Sequence, residues 1–354
     1  MALAAGLTVA NRYPLLYSFN PLRVAGTALP PPLLLAAKMI ALGLLLKGYI
    51  PRIPGIFIPM WPLLDSIPRS ELVQPLMQAI VAVAIMLLLC NRAVRLSAFA
   101  IGATFMFGTL ASRGFYSNGR LFSCSMLMLI GLYAERRSIW PIRWQMVLLY
   151  FGSGLNKITQ ADWRSGWYFE YWMHGILERG WYISLAQALP PMALSQYFCW
   201  ATIALEFSIA VGLAVPRLYR LGIWLVLLFH FSAVAATGMM FGIFVIATTF
   251  SLLAFVEWPV AGEIAIMSAP KRGAYRLVVE VAKRLDFDRV IAASGEQEEP
   301  RGQEEAPTLI VQWREREFNG LAAVRRLLLS LPVAYFLAAL ALILPSLYIR
   351  KFGS

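Results

Sequence analysis

Charge is what this sequence has least of: 14% of its 354 residues are Asp, Glu, Lys or Arg, against about 25% in soluble domains. Histidine occurs twice and cysteine three times. Cys90, Cys124 and Cys199 stand singly with no C-x-x-C pair, so neither zinc nor a dithiol switch is suggested, and small buried residues are the plainer reading. No H-E-x-x-H, phosphate loop, G-x-S-x-G elbow or Cys/His ligand set is found. Hydrolase and metal chemistry therefore have no foothold, and no metal ligands are assigned. The first residues, MALAAGLTVANRYPLLYSFNPLR, lack a basic head, a long apolar core and a small-residue cleavage site, so no cleaved signal peptide is read there.

What is present is apolar. Hydrophobic residues make up 59% of the chain and the mean hydropathy is +0.65. Apolar runs recur near 32–48, 72–90, 96–111, 119–134, 143–158, 192–214, 221–238 and 241–257, with another at 326–348. Each is close to the roughly 20 residues that carry a helix across hydrocarbon. None alternates with the period of a membrane barrel. The expected fold is all-α: a polytopic membrane bundle of about eight transmembrane helices, with membrane lipid as surroundings. A ninth span is counted if 326–348 crosses rather than lying at the interface.

The formal net charge of +12 reads as loop bias in a membrane protein rather than as a nucleic-acid surface. One set of alternate loops holds Arg12, Arg23, Arg92, Arg95, Arg136, Arg137, Arg143, Arg217 and Arg220. The other holds Lys47, Arg52, Arg69, Arg113, Arg120, Lys157, Arg164 and Arg179. Only the basic tail tips the balance, which places both termini in the cytoplasm and Lys157 near the outer face.

Three segments interrupt the spans. Residues 49–70 contain five prolines, which forbid a continuous helix and predict an interfacial turn. The Trp- and Tyr-dense stretch DWRSGWYFEYWMHGILERGWYISLAQALPP suits the headgroup layer and is expected to lie flat as a lid. After Trp258 the composition turns soluble in type. YRLVVEVAKRLD has helical periodicity, TLIVQW reads as a short strand, and SGEQEEPRGQEEAP reads as a disordered loop.

Ionisable groups inside apolar spans cost at least about 2.5–3.5 kcal/mol on insertion scales and need a reason. Lys157, Glu206 and His230 are the candidates. Tyr150, Ser153, Gly154 and Lys157 fall at i, i+3, i+4 and i+7, one helix face presenting a phenol, a hydroxyl, bare backbone and an amine. Asn156 and Asn118 are neutral company. Lys157 can alternatively snorkel to the headgroups while the glycines serve packing. Glu206 lies too deep to snorkel and must be protonated, hydrogen-bonded or paired. His230 has Thr237 seven residues on, and a structural histidine is the plainer reading of it alone. Together the three suggest a polar pocket between spans five, six and seven.

At these residues the chain resembles a known family. RWQMVLLYFGSGLNKITQADWRSGWYFEYW and LLFHFSAVAATGMMFGIFVIATT are similar to signatures of the vitamin K-dependent gamma-carboxylase-like family, or horizontally transferred transmembrane (HTTM) domain. The similarity covers about residues 10–260, and 1–260 is taken as the transmembrane domain. It implies an integral protein of a bacterial inner membrane. It also implies a quinone or hydroquinone cofactor, with Lys157 as the base that deprotonates the quinol, His230 and Glu206 as supporting catalytic groups, and Tyr150, Ser153, Gly154 and Asn156 lining the slot.

Two departures stand against glutamate carboxylation. Asn118 is followed by Gly119 where the carboxylase has a priming histidine, and its large substrate-binding lumenal region has no counterpart after Trp258. Bacterial family members include parts of peptide maturation and export systems, which implies a membrane-protein or peptide partner and a non-catalytic or scaffold role. Residues 261–325 form a cytoplasmic segment and 326–354 a terminal apolar helix. FNGLAAVRRLLLSLPVAYFLAALALILP resembles the end of a thioredoxin-like module that often accompanies this domain. With the module's D-G-x-C-x-x-C start missing, it would be a relic.

Overall fold

Leucine- and alanine-rich runs become helices wherever proline or a polar turn does not interrupt them. In the computed structural model, which describes residues 20–66, 71–133, 139–238, 242–259, 261–269, 273–292 and 309–332, the helices are α1 (Pro31–Leu46), α2 (Val73–Leu89), α3 (Val94–Ala111), α4 (Asn118–Leu132), α5 (Trp140–Thr159), α6 (Ala161–Ser165), α7 (Trp167–Glu170), α8 (Gly180–Gln187), α9 (Ala193–Ala214), α10 (Tyr219–Thr237), α11 (Gly242–Ser251), α12 (Ala274–Leu285) and α13 (Leu321–Leu329). Helices α3 and α9, and α10 with the turn before it (Pro216–Thr237), are long and apolar enough to cross a membrane. Helices α1, α2 and α4, and α11 with its following turn (Gly242–Phe255), are shorter apolar elements.

Glycine sets how closely the apolar helices approach. A Cβ on Gly131 of α4 would stand 2.6 Å from the Phe99 nitrogen of α3. One on Gly212 of α9 would stand 2.7 Å from the Gly222 Cα of α10. Backbone-to-backbone packing of this kind is what small residues permit between apolar helices.

The proline-rich segment is a non-helical loop ending in a 3₁₀ turn, Pro62–Ser66. It is pinned to the end of α3 by Phe57 N–H to Ala111 O at 2.9 Å and Met60 N–H to Leu110 O at 2.8 Å. Phe57, Ile58, Trp61 and Leu63 are left exposed.

The aromatic segment folds as α6, α7, a π turn (Tyr171–Ile176) and α8, packed on the first half of α9. Trp163 joins Cys199 and Ile203, and the Phe169 and Phe198 rings stack at 5.0 Å. Gly166 makes the corner with φ +85°, where a Cβ would meet the Gln196 nitrogen at 2.6 Å. Trp167, Tyr171, Trp181 and Tyr197 remain exposed.

The all-α expectation needs correction in the C-terminal region. Strands β1 (Ile264–Ser268), β2 (Ile310–Trp313) and β3 (Arg316–Asn319) form an antiparallel sheet in the order β1-β2-β3. Ile264 also bridges in parallel to Ile291, after α12. The cause is local: along β2, Val311 and Trp313 are buried while Ile310 and Gln312 are less so, the period-two pattern of a strand. Ile264, Ala282, Val311, Trp313 and Leu327 close a separate small core.

This unit is tied to the bundle through Asp288. Its carboxylate accepts from the Val24 and Ala25 amides at 3.0–3.2 Å. Lys38 of α1, 1% exposed, donates to the carbonyls of Pro21 and Arg23 at 2.7 Å. The acidic stretch and most of the run at 326–348 lie outside the described residues.

Candidate functional site

Helix α5 carries the predicted stripe, and the stripe faces inward. Tyr150 and Gly154 are buried, Ser153 is half-buried, and the Lys157 side chain is 15% exposed. The steps of three, one and three residues keep all four on one side of the helix, turned toward its neighbours.

Lys157 and Ser153 reach α9. The Lys157 Nζ donates to Ser153 Oγ at 2.5 Å and to Glu206 Oε1 and Oε2 at 2.7 and 2.8 Å. Ser153 Oγ in turn donates to Glu206 Oε1 at 2.8 Å. Glu206 is 3% exposed, so its charge is compensated almost wholly by this one ammonium and one hydroxyl. The amine also lies 4.9 Å from the centroid of Trp163, whose ring stacks on Tyr168 at 4.2 Å. An ammonium has three N–H donors, and these three acceptors match them.

Tyr150 turns to a second group. Its hydroxyl lies 2.7 Å from His230 Nε2 on α10, and Thr248 Oγ1 of α11 lies 2.9 Å from the same nitrogen. Thr248 can send its own proton to the Phe244 carbonyl at 2.7 Å. An Nε2–H would then donate to the threonine or tyrosine oxygen, while the other tautomer would accept a proton from Tyr150. Either way the imidazole joins α5, α10 and α11 through hydrogen bonds in a buried setting.

Six of the seven residues given catalytic or slot-lining roles from the sequence thus enter one continuous face and its partners, while Asn118 pairs elsewhere, with the Tyr116 hydroxyl at 2.6 Å. The exception is Asn156. It is exposed, and only its backbone carbonyl is engaged, by Thr159 Oγ1 at 2.8 Å. At 100° per residue it points about 100° away from Lys157, so it does not line the group.

Gly154 offers its backbone to a flat ring, and that ring is Phe207 of α9, whose carbons stand 3.2–3.3 Å from where a Cβ would be. Thr237 is not the partner of His230. Its hydroxyl bonds the Ala233 carbonyl of its own helix at 2.7 Å, because seven residues along a helix is about 10 Å.

Sequence reasoning passed over Thr248, Trp163 and Lys38, and it counted Arg143 as a loop cation where the structure has it buried inside α5. Thr248 is a hydroxyl in a largely apolar run, and Trp163 opens the aromatic stretch after Asp162. Lys38 sits within the run 32–48, and Arg143 is 5% exposed with its Nε on the Ala254 carbonyl at 3.0 Å. Each was visible as a polar group in an apolar segment. Among the described residues no three His, Cys, Asp or Glu side chains come together as a metal site would need. No family model, curated protein or solved structure matches the chain.

Proposed function

We propose that the chain is a membrane-embedded, non-catalytic component of the gamma-carboxylase-like HTTM kind, a partner or scaffold subunit in a membrane complex such as a peptide-maturation or export system. The observation that carries this reading is the full engagement of the Lys157 ammonium by Glu206 and Ser153. A quinol base must shed its proton, and doing so here would leave the Glu206 carboxylate buried and unpaired, which costs several kcal/mol. The pair serves instead to clamp α5 to α9. The absence of the priming histidine supports the same conclusion: Gly119 stands in its place, where even a Cβ would come within 3.0–3.2 Å of Phe244. Any side chain there would displace the start of α11.

The C-terminal unit fits a relic thioredoxin-like module. A strand, a helix, a parallel bridge and an antiparallel hairpin follow one another, and no cysteine follows Cys199.

Purification from native membranes tests the reading. A stoichiometric protein partner is expected, retained when Lys157 and Glu206 are replaced together by Met and Leu. A solitary chain that carries a quinone through detergent extraction and loses quinol turnover in Lys157→Met would refute it.

That outcome would favour the second reading, a membrane enzyme with a quinol-type cofactor and Lys157 as base. Its specific support is the Trp163–Tyr168 stack beside a partly exposed amine, an aromatic wall on which a quinone ring could lie.

A further inference from the structure

The small C-terminal core does not use up the apolar face of α12. Val279 and Ala282 are buried in it, with Tyr275, Val278 and Leu285 packed against it. At 100° per residue these five share one side of the helix. Leu277 and Val281 lie beyond its edge, 66% and 40% exposed, about one helical turn apart. Arg284 follows three residues on, stands on the same stripe and is also exposed. An apolar pair continued by a cation is the pattern of a helix lying in a membrane interface, where long charged side chains reach up to the headgroups.

Charge selects the kind of surface. From residue 271 to 284 the chain has Lys271, Arg272, Arg276, Lys283 and Arg284 against the single acid Glu280. Among the described residues no carboxylate makes an ion pair with Lys283 or Arg284. A cluster of this sign is drawn to anionic lipid.

The ties of the C-terminal unit put the stripe within reach of such lipid. Arg284 precedes Asp288 by four residues, at most about 14 Å of chain, and Asp288 is bonded to the Val24 and Ala25 amides ahead of α1. The β2–β3 hairpin is fastened at the same end, by Arg314 Nη1 to Glu257 Oε2 at 3.1 Å, directly after the Leu252–Phe255 turn that closes α11. The Phe255 ring meets that of Tyr219 at 5.1 Å, and Tyr219 is flanked in the chain by the exposed Arg217 and Arg220. The unit is thus held where the apolar helices end and exposed cations begin.

We propose that α12 docks on the membrane surface at this end of the bundle, with Leu277 and Val281 among the upper acyl carbons and Arg284 on the phosphates of anionic phospholipids. The proposal rests on the bundle being membrane-embedded and is independent of the role of Lys157.

The test uses the full-length protein in lipid nanodiscs. A single spin label is placed at Val281→Cys or, on the other side of the buried face, at Lys283→Cys. A Cys90→Ala background leaves only the buried Cys124 and Cys199. Collision with oxygen, which concentrates in lipid, is compared with collision with a water-soluble nickel chelate. Both labelled positions, and Arg284, are exposed, so the variants keep the fold. In discs that contain phosphatidylglycerol, the label at 281 should favour oxygen and the label at 283 nickel. Adding Arg284→Gln should shift the label at 281 about fivefold toward the nickel-accessible form, the effect of about 1 kcal/mol for one cation at an anionic surface. Discs of phosphatidylcholine alone should shift it further. Equal nickel contact at 281 and 283 in the phosphatidylglycerol discs would overturn the docking. A label at 281 shielded from both reagents would mean that protein covers the stripe, and would overturn the lipid assignment. Oxygen contact undiminished by Arg284→Gln and by phosphatidylcholine alone would overturn the anionic assignment.

Discussion

Replacing Lys157 by Met removes three hydrogen bonds at once and leaves the Glu206 carboxylate, 3% exposed, with one hydroxyl for company. Breaking a buried pair from one side costs about 3–5 kcal/mol, because the surviving charge has no compensation. The lower end, about 3 kcal/mol, is expected here, since the lysine retains 15% exposure and Ser153 still serves one carboxylate oxygen. Glu206→Leu strands the ammonium in the same way and should cost about as much. The double variant removes both charges and fills the space with side chains of similar volume, so it should lie within about 1 kcal/mol of the wild type. The coupling between the two sites then exceeds about 3 kcal/mol, far beyond the few tenths seen for independent sites. Reversible denaturant unfolding of the detergent-solubilised protein, followed by tryptophan fluorescence, measures all four corners of the cycle. Single effects below about 1 kcal/mol that simply add would refute the clamp, because they would mean that Lys157 reaches solvent or headgroups and that Glu206 is satisfied without it.

Tyr150→Phe should lower unfolding stability by about 1–3 kcal/mol through the lost hydrogen bond to buried His230, and wild-type stability in the same assay would show that Thr248 alone satisfies the imidazole. Gly131→Ala should cost about 1–3 kcal/mol by forcing α3 from α4, since its Cβ would meet backbone at 2.6 Å; a neutral result would disprove that close approach. Burial pushes the Asp288 carboxyl above its ordinary value, against the opposing pull of the Ala25 and Val24 amides and the charges of Arg23 and Lys38. A carboxyl raised on folding stabilises most when protonated, so its contribution should grow as pH falls through the raised value and fade above it. Asp288→Asn, isosteric with the protonated acid, should then match the wild type at acid pH and be at least as stable at neutral pH, while Asp288→Ala should open the 21–25 segment to limited proteolysis; equal protection in both variants would contradict the tie.

The sequence makes one side of each contact legible and leaves the other side to packing. The face of α5 follows from spacing alone, because Tyr150, Ser153, Gly154 and Lys157 recur at the helical repeat and no other conformation of an apolar run satisfies its backbone in lipid. That Glu206 needs a partner follows equally from its depth. That the partner is Lys157 depends on how far α9 slides along α5, and this is set by Gly154 accepting the ring of Phe207, a contact with no periodic signature. His230 shows the same division. Its own helix offers Thr237 seven residues on, yet the crossing of α10 with α11 brings Thr248 to 2.9 Å instead. In the C-terminal unit the strand at TLIVQW is local and was readable, whereas its place between β1 and β3 and the parallel bridge to Ile291 are long-range pairings. The buried cations Lys38 and Arg143 hide because the acceptors they meet are backbone carbonyls. A carbonyl acceptor is present at every position of every sequence, so no residue pattern marks it, and buried cations of this kind become visible only when the chain has folded around them.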